Sequence, residues 1–143
     1  MERLHFTTDI DAPRSRVWAV LWDDRTYRDW TSVFAEGSHA VSDWQQGSPI
    51  RFLGPGGSGG MLAIIDEKVP EERMVFRHVT EIKDGQEQPP AAWSGALETY
   101  TLTADGRGTR LVAELDAEES HAESFREMFP RALARVKALA EQP

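Results

Sequence analysis

The spacing of hydrophobic positions changes period along the chain, and each change marks a predicted element. In Leu4, Phe6, Thr8 and Ile10 the less polar side chains alternate with His5, Thr7 and Asp9. A period of two is that of a half-buried strand. Pro13 ends it, and proline suits a first helical turn. Val17, Trp18, Leu21 and Trp22 then recur at spacings that make one apolar face, which predicts a short helix. A second short helix, after Asp23 and Asp24, carries Tyr27 and Trp30.

From Glu36 to Leu115 the alternation returns, cut by turn residues into segments of ordinary strand length. The predicted strands are Glu36 to Asp43, Pro49 to Leu53, Met61 to Val69, Met74 to Lys83, Ala96 to Thr103 and Thr109 to Ala117. Asp105-Gly106-Arg107-Gly108 supplies a hairpin turn between the last two, because glycine accepts the positive backbone angles of tight turns. The tail from Ser120 to Gln142 shifts to helical spacing, with Phe125, Phe129, Ala132, Leu133, Val136, Leu139 and Ala140 on one stripe. Ser120 and Glu123 fit a capping box at its start, and Pro130 predicts a kink just before it. Strand, two short helices, a strand meander and one long amphipathic helix make an α+β order, in which the helix must cover one curved antiparallel sheet. Nothing divides residues 1–143, so one domain is expected.

Charge and composition narrow the partners. A chain of 143 residues, 40% hydrophobic, suits a single core. There is no cysteine, which removes disulfides, thiol nucleophiles and thiolate metal sites. The net charge of -8 carries no basic patch, so a nucleic-acid backbone is repelled. The longest apolar run, Val17 to Trp22, is far short of the roughly 20 residues that cross a bilayer. The first residues lack the apolar stretch of a secretory signal, and the protein is expected in the cytoplasm.

Two motifs overlap in the glycine-rich segment Gly54 to Gly60. Gly54, Gly56 and Gly59 match a dinucleotide fingerprint, and Gly56, Ser58 and Gly60 match a nucleophile elbow. Both need a helix directly afterwards, whereas Met61 to Ile65 reads as a strand, so a plain hairpin loop is expected. The histidines His5, His39, His78 and His121 include no pair at the spacing of a helical zinc motif, and no metal or other cofactor is expected.

Larger motifs resemble a known superfamily. Ile10-Asp11-Ala12-Pro13 with Val17-Trp18 and Leu21 resembles the opening of START-like (SRPBCC) proteins. The likeness continues through Tyr27 to Ser32, Glu36-Gly37-Ser38, Asp43-Trp44 and Gly47 to Ile50. It returns at Trp93, Glu98 to Leu102, Gly108 to Leu111 and Phe129 to Leu133. Within the superfamily the chain is most similar to the branch named after activators of the Hsp-90 ATPase. The resemblance implies a helix-grip fold, a curved sheet wrapped around the C-terminal helix with a cavity between them. Functions in the superfamily range from lipid, hormone and polyketide carriage to polyketide cyclisation and chaperone assistance, so fold alone selects none of them.

Strand parity and helix face assign the candidate cavity lining to Trp30, Trp44, Phe52, Phe76, His78, Trp93, Glu98, Tyr100, Phe125 and Phe129. A mostly apolar pocket with a few convergent polar groups suits a small hydrophobic or amphipathic ligand, and such binding requires no catalytic residue. His78, Glu98 and Tyr100 are those polar groups, or alternatively an acid–base set for a cyclase or dehydratase, with His78 or Glu98 moving the proton. A chaperone-interaction module is the third alternative, and a monomer or a homodimer fits each of them.

Overall fold

In the computed structural model, which describes residues 1–143, strand β1 (Glu2–Ile10) buries Leu4 and Ile10 and exposes Arg3, His5, Thr7 and Asp9. The period of two in the sequence has become the pleat of an edge strand. Helix α1 (Arg14–Trp22) follows, with Pro13 one residue outside it at the N-cap. Helix α2 (Asp24–Thr31) begins after Asp23, whose extended backbone turns the chain between the two. Thr26, Tyr27, Trp30 and Thr31 are the buried face of α2. The Trp30 Nε1 hydrogen donates to the Leu21 carbonyl at 3.1 Å, which locks α2 against α1.

The remaining strands are β2 (His39–Val41), β3 (Pro49–Leu53), β4 (Gly60–Val69), β5 (Arg73–Lys83), β6 (Gln86–Glu87), β7 (Leu97–Asp105) and β8 (Gly108–Ala117). They form one antiparallel sheet in the order β1-β8-β7-β5-β4-β3-β2, with β6 paired only to β5. The first and last strands lie side by side, from Glu2 opposite Ala117 to Ile10 opposite Thr109. Register shifts between Leu62 and Ala63 and between Ile65 and Glu67 interrupt the long β4–β5 pair, where bulges bend and twist a sheet.

One expectation about strands needs correction, and one short strand joins the predicted set. The segment Glu36 to Asp43 is strand only over His39–Val41, because Gly37 (φ 91°) and then Trp44 (φ 61°) turn the backbone out of the extended region. The two-residue strand β6 is too short to leave a hydrophobic pattern and was not anticipated.

Helix α3 (Glu119–Ala140) closes the sheet, burying Ala122, Phe129, Ala132, Leu133, Val136, Leu139 and Ala140. The predicted capping box is absent: β8 runs to Ala117, the N-cap is Glu118 without a side-chain cap, and Ser120 already lies inside the helix. Pro130 sits within α3, which continues unbroken through it. No helix is long and apolar enough to cross a membrane.

One continuous core joins the three helices to the sheet. Trp22, at the end of α1, is its aromatic hub, with ring centroids 5.4 Å from Phe76, 5.0 Å from Tyr100 and 5.8 Å from Trp44.

Candidate functional site

The space between sheet and helices is not completely filled. A cavity of about 590 Å³ remains beside the N-terminal half of α3, within the range of pockets that hold drug-sized molecules. Its walls come from every layer: Tyr27, Trp30 and Thr31 of α2, Phe52 of β3, Met61 of β4, His78 of β5, Glu98 and Tyr100 of β7, and Phe125, Met128 and Phe129 of α3. Exposed Glu81 and His121 and half-buried Asp116 and Glu118 stand at its rim. Phe129 is held from both sides, with its ring 5.0 Å from those of Phe6 and Phe34.

Sheet register decides where the polar groups point. Glu98 pairs with Phe76 on one side and Leu115 on the other, and directly paired residues share a face, so its carboxylate is turned toward the cavity. Tyr100, two residues on, shares that face. One carboxylate oxygen of Glu98 accepts the Tyr100 hydroxyl hydrogen. The other lies 3.0 Å from Nε2 of His78, and the Nε2–H tautomer is assigned from this contact because the carboxylate there accepts. Nδ1 of His78 is buried without a partner. Burial, then the charge of Glu98 and the hydrogen bond to it, push the Tyr100 phenol well above its ordinary pKa. Burial and then Glu98 raise that of Tyr27 as well. At the rim, burial opposes ionisation of Asp116, but Arg3 and the Leu97 N–H outweigh it and hold the carboxyl below its usual range.

The geometry brings together Trp30, Phe52, His78, Trp93, Glu98, Tyr100, Phe125 and Phe129 around the cavity. Trp93 arrives on a loop whose turn is pinned by Ser94 Oγ donating to the Val79 carbonyl at 2.7 Å. Phe76 and Trp44 do not line it, which corrects the assignment from sequence. Phe76 has the right parity but sits deeper along β5, where Trp22 and Phe52 cover its ring and leave it 0% exposed. Trp44 lies outside any strand, so parity does not apply to it; its indole packs on Trp22 and Tyr27 behind the wall.

Residues 11–141 match the family described as activator of Hsp90 ATPase homolog 1-like protein. The chain belongs to that family. Solved structures agree on the fold of this family member. Protein CV1439 from Chromobacterium violaceum superposes with a TM-score of 0.72 at 21% identity, over 99% of this chain and 98% of that one. The Aha1 dimer from Colwellia psychrerythraea gives a TM-score of 0.72 at 16% identity, over 99% and 98%. DynU16, a protein of the dynemicin biosynthetic locus, gives 0.71 at 16% identity, over 99% of this chain and 48% of that one. The comparison with curated proteins finds no match.

Several lining residues of this family member escaped the reading of the sequence. Tyr27 is the most consequential, and its signal was the three-residue spacing from Trp30 on one helix face. Phe34, Met61 and Met128 left no comparable mark, since each becomes lining only through its tertiary neighbours. The glycine-rich segment is a hairpin connection: Gly54 N–H donates to the Gly59 carbonyl at 2.8 Å, a single 3-10 turn spans Pro55–Gly57, and β4 follows. With no helix after it, neither the dinucleotide fingerprint nor the nucleophile elbow has its required context. No cluster of three or more His, Asp or Glu side chains is arranged to hold a metal ion.

Proposed function

We propose that the protein binds a small apolar or aromatic molecule in the cavity between the sheet and α3, with Glu98, Tyr100 and His78 orienting its polar end. The observation that carries this reading is a largely apolar space of about 590 Å³ whose wall holds one half-buried, hydrogen-bonded polar cluster among aromatic rings. Recognition sites for small molecules have this composition, a largely hydrophobic lining with few well-placed polar atoms. The rings of Trp30, Phe52, Trp93 and Phe129 in its lining favour an aromatic ligand, which can pack against them in offset or edge-to-face contact. A thermal-shift screen of aromatic polyketide-like compounds, flavonoids and fatty acids tests it. A ligand that binds only the folded state raises the melting temperature as its concentration rises. Failure of every compound to do so contradicts the proposal.

A second reading rests on the His78–Glu98 contact of 3.0 Å. An imidazole and a carboxylate joined at the wall of a largely apolar pocket can act as an acid–base pair for a cyclisation or dehydration, moving a proton to or from the bound molecule. Incubating each hit with the protein and seeking products by mass spectrometry distinguishes the two. Products that vanish in His78→Ala or Glu98→Gln, with affinity retained, establish catalysis; unchanged ligand supports binding alone.

A further inference from the structure

The charges around the cavity are one-sided. Glu98 lies in its wall and Glu81, Asp116 and Glu118 at its rim, yet no lysine or arginine lines it. Of these four carboxylates only Asp116 has a guanidinium partner, Arg3 at 2.9 Å. Glu98 accepts one hydrogen bond on each oxygen, from His78 and Tyr100, and a carboxylate has about four acceptor sites, so capacity remains for a further donor. Tyr27 is an independent observation. It is 7% exposed, lines the cavity, and its hydroxyl makes no hydrogen bond within the protein. Unlike Nδ1 of His78, this hydroxyl is not sealed off from contact, so a donor in the cavity can reach its oxygen.

Resting on the ligand-binding reading above, we propose that the cavity selects by charge: it favours aromatic molecules bearing a basic amine, takes neutral alcohols more weakly, and rejects carboxylates of the same shape. An ammonium group donates to the open sites of Glu98 and to the Tyr27 oxygen. It also lies near the indoles of Trp30 and Trp93, and a cation over such a ring is attracted to it. A ligand carboxylate instead meets four carboxylates and no lysine or arginine, with His39, His78 and His121 the only basic lining groups, so both repulsion and desolvation oppose its entry.

Three probes with one ring system test this: anthracenylmethylamine, anthracenylmethanol and anthracene carboxylic acid, titrated at neutral pH and followed by fluorescence. The amine is expected to bind on the order of tenfold tighter than the alcohol, and the acid at least about tenfold weaker than the alcohol. Glu98→Gln should bring amine and alcohol together. Should that variant lose its fold by circular dichroism, the rim variant combining Glu81→Gln and Glu118→Gln decides, since both side chains are outside the core. There the amine should lose part of its advantage while the alcohol is unaffected, and an unchanged advantage overturns the proposal. Equal affinities for the three probes in the native protein, or tightest binding of the acid, overturn charge selection and leave ligand binding standing. Absence of binding by all three overturns both.

Discussion

His78 on β5 and Glu98 on β7 meet across the cavity wall, Nε2 to Oε1 at 3.0 Å, while the second oxygen of Glu98 takes the hydrogen of Tyr100. No lysine or arginine lines the cavity, so this half-buried carboxylate is held at the wall by two donors alone. An acceptor that loses a partner retains its desolvation penalty, about 1–3 kcal/mol when fully buried and toward the low end for a half-buried group such as Glu98. His78→Ala is therefore expected to destabilise the protein by roughly that amount, in excess of a matched truncation of a half-buried apolar residue such as Met61. Chemical denaturation measures it, and a loss no larger than that of Met61→Ala counts against the role given to His78.

Core and cavity positions should separate cleanly. Phe76 is enclosed on every side, and Phe76→Ala is expected to cost about 3–5 kcal/mol of stability. Phe125, half-buried at the cavity with its ring 5.9 Å from Phe129, contributes less packing. Phe125→Ala should cost clearly less than Phe76→Ala while weakening ligand affinity more than any other property. Paired denaturation and binding curves for the two variants check this; equal stability losses would show that Phe125 belongs to the core.

Tyr27 and Tyr100 are the only tyrosines in the chain, and both line the cavity. Burial raises each phenol pKa above the ordinary value of 10.0, with Glu98 adding to the shift. A group whose pKa is raised by folding contributes stability that is fully present below its unfolded value and is lost as pH rises through the folded one. Stability should therefore hold up to about pH 10 and fall above it. Phenolate absorbance should rise only together with loss of near-ultraviolet dichroism. Ionisation of either tyrosine near pH 10 in protein that remains folded would contradict their burial.

Most of the fold was readable because the core strands present one face each. β3 matches its predicted bounds, and β4, β5 and β8 differ by one residue at the start. What escaped was set by backbone or tertiary context. Trp44 adopts a positive φ that is rare for a bulky side chain and leaves no trace in hydrophobic pattern. Parity gave Phe76 the correct face but not its depth, which depends on where the Trp22 indole comes to rest. His78, Glu98 and Tyr100 were legible as a group because parity decides face directly, whereas the contacts joining them depend on strand register.

The glycine loop gives a sharp contrast between neighbours. A Cβ added at Gly60 would stand 1.8 Å from the Phe52 carbonyl oxygen, so Gly60→Ala must displace the β3–β4 pair. A loss of several degrees in melting temperature is expected. Ser58 lies in the connection before β4, and its side chain makes no hydrogen bond that holds the fold. Ser58→Ala should leave stability and ligand binding as they are. Loss of binding or of a product-forming activity in folded Ser58→Ala protein would revive the nucleophile-elbow interpretation.

Calorimetric titration of the native protein with a neutral polycyclic aromatic alcohol, repeated at several temperatures, tests the central claim most directly. Filling a preformed apolar cavity removes apolar surface from water, and its robust signature is a negative heat-capacity change. The predicted result is saturable binding at one site per chain with that negative change, weakened by Phe125→Ala. Absence of saturable binding by folded protein across the temperature series, or binding that Phe125→Ala leaves unaltered, would contradict the assignment of this cavity as the ligand site.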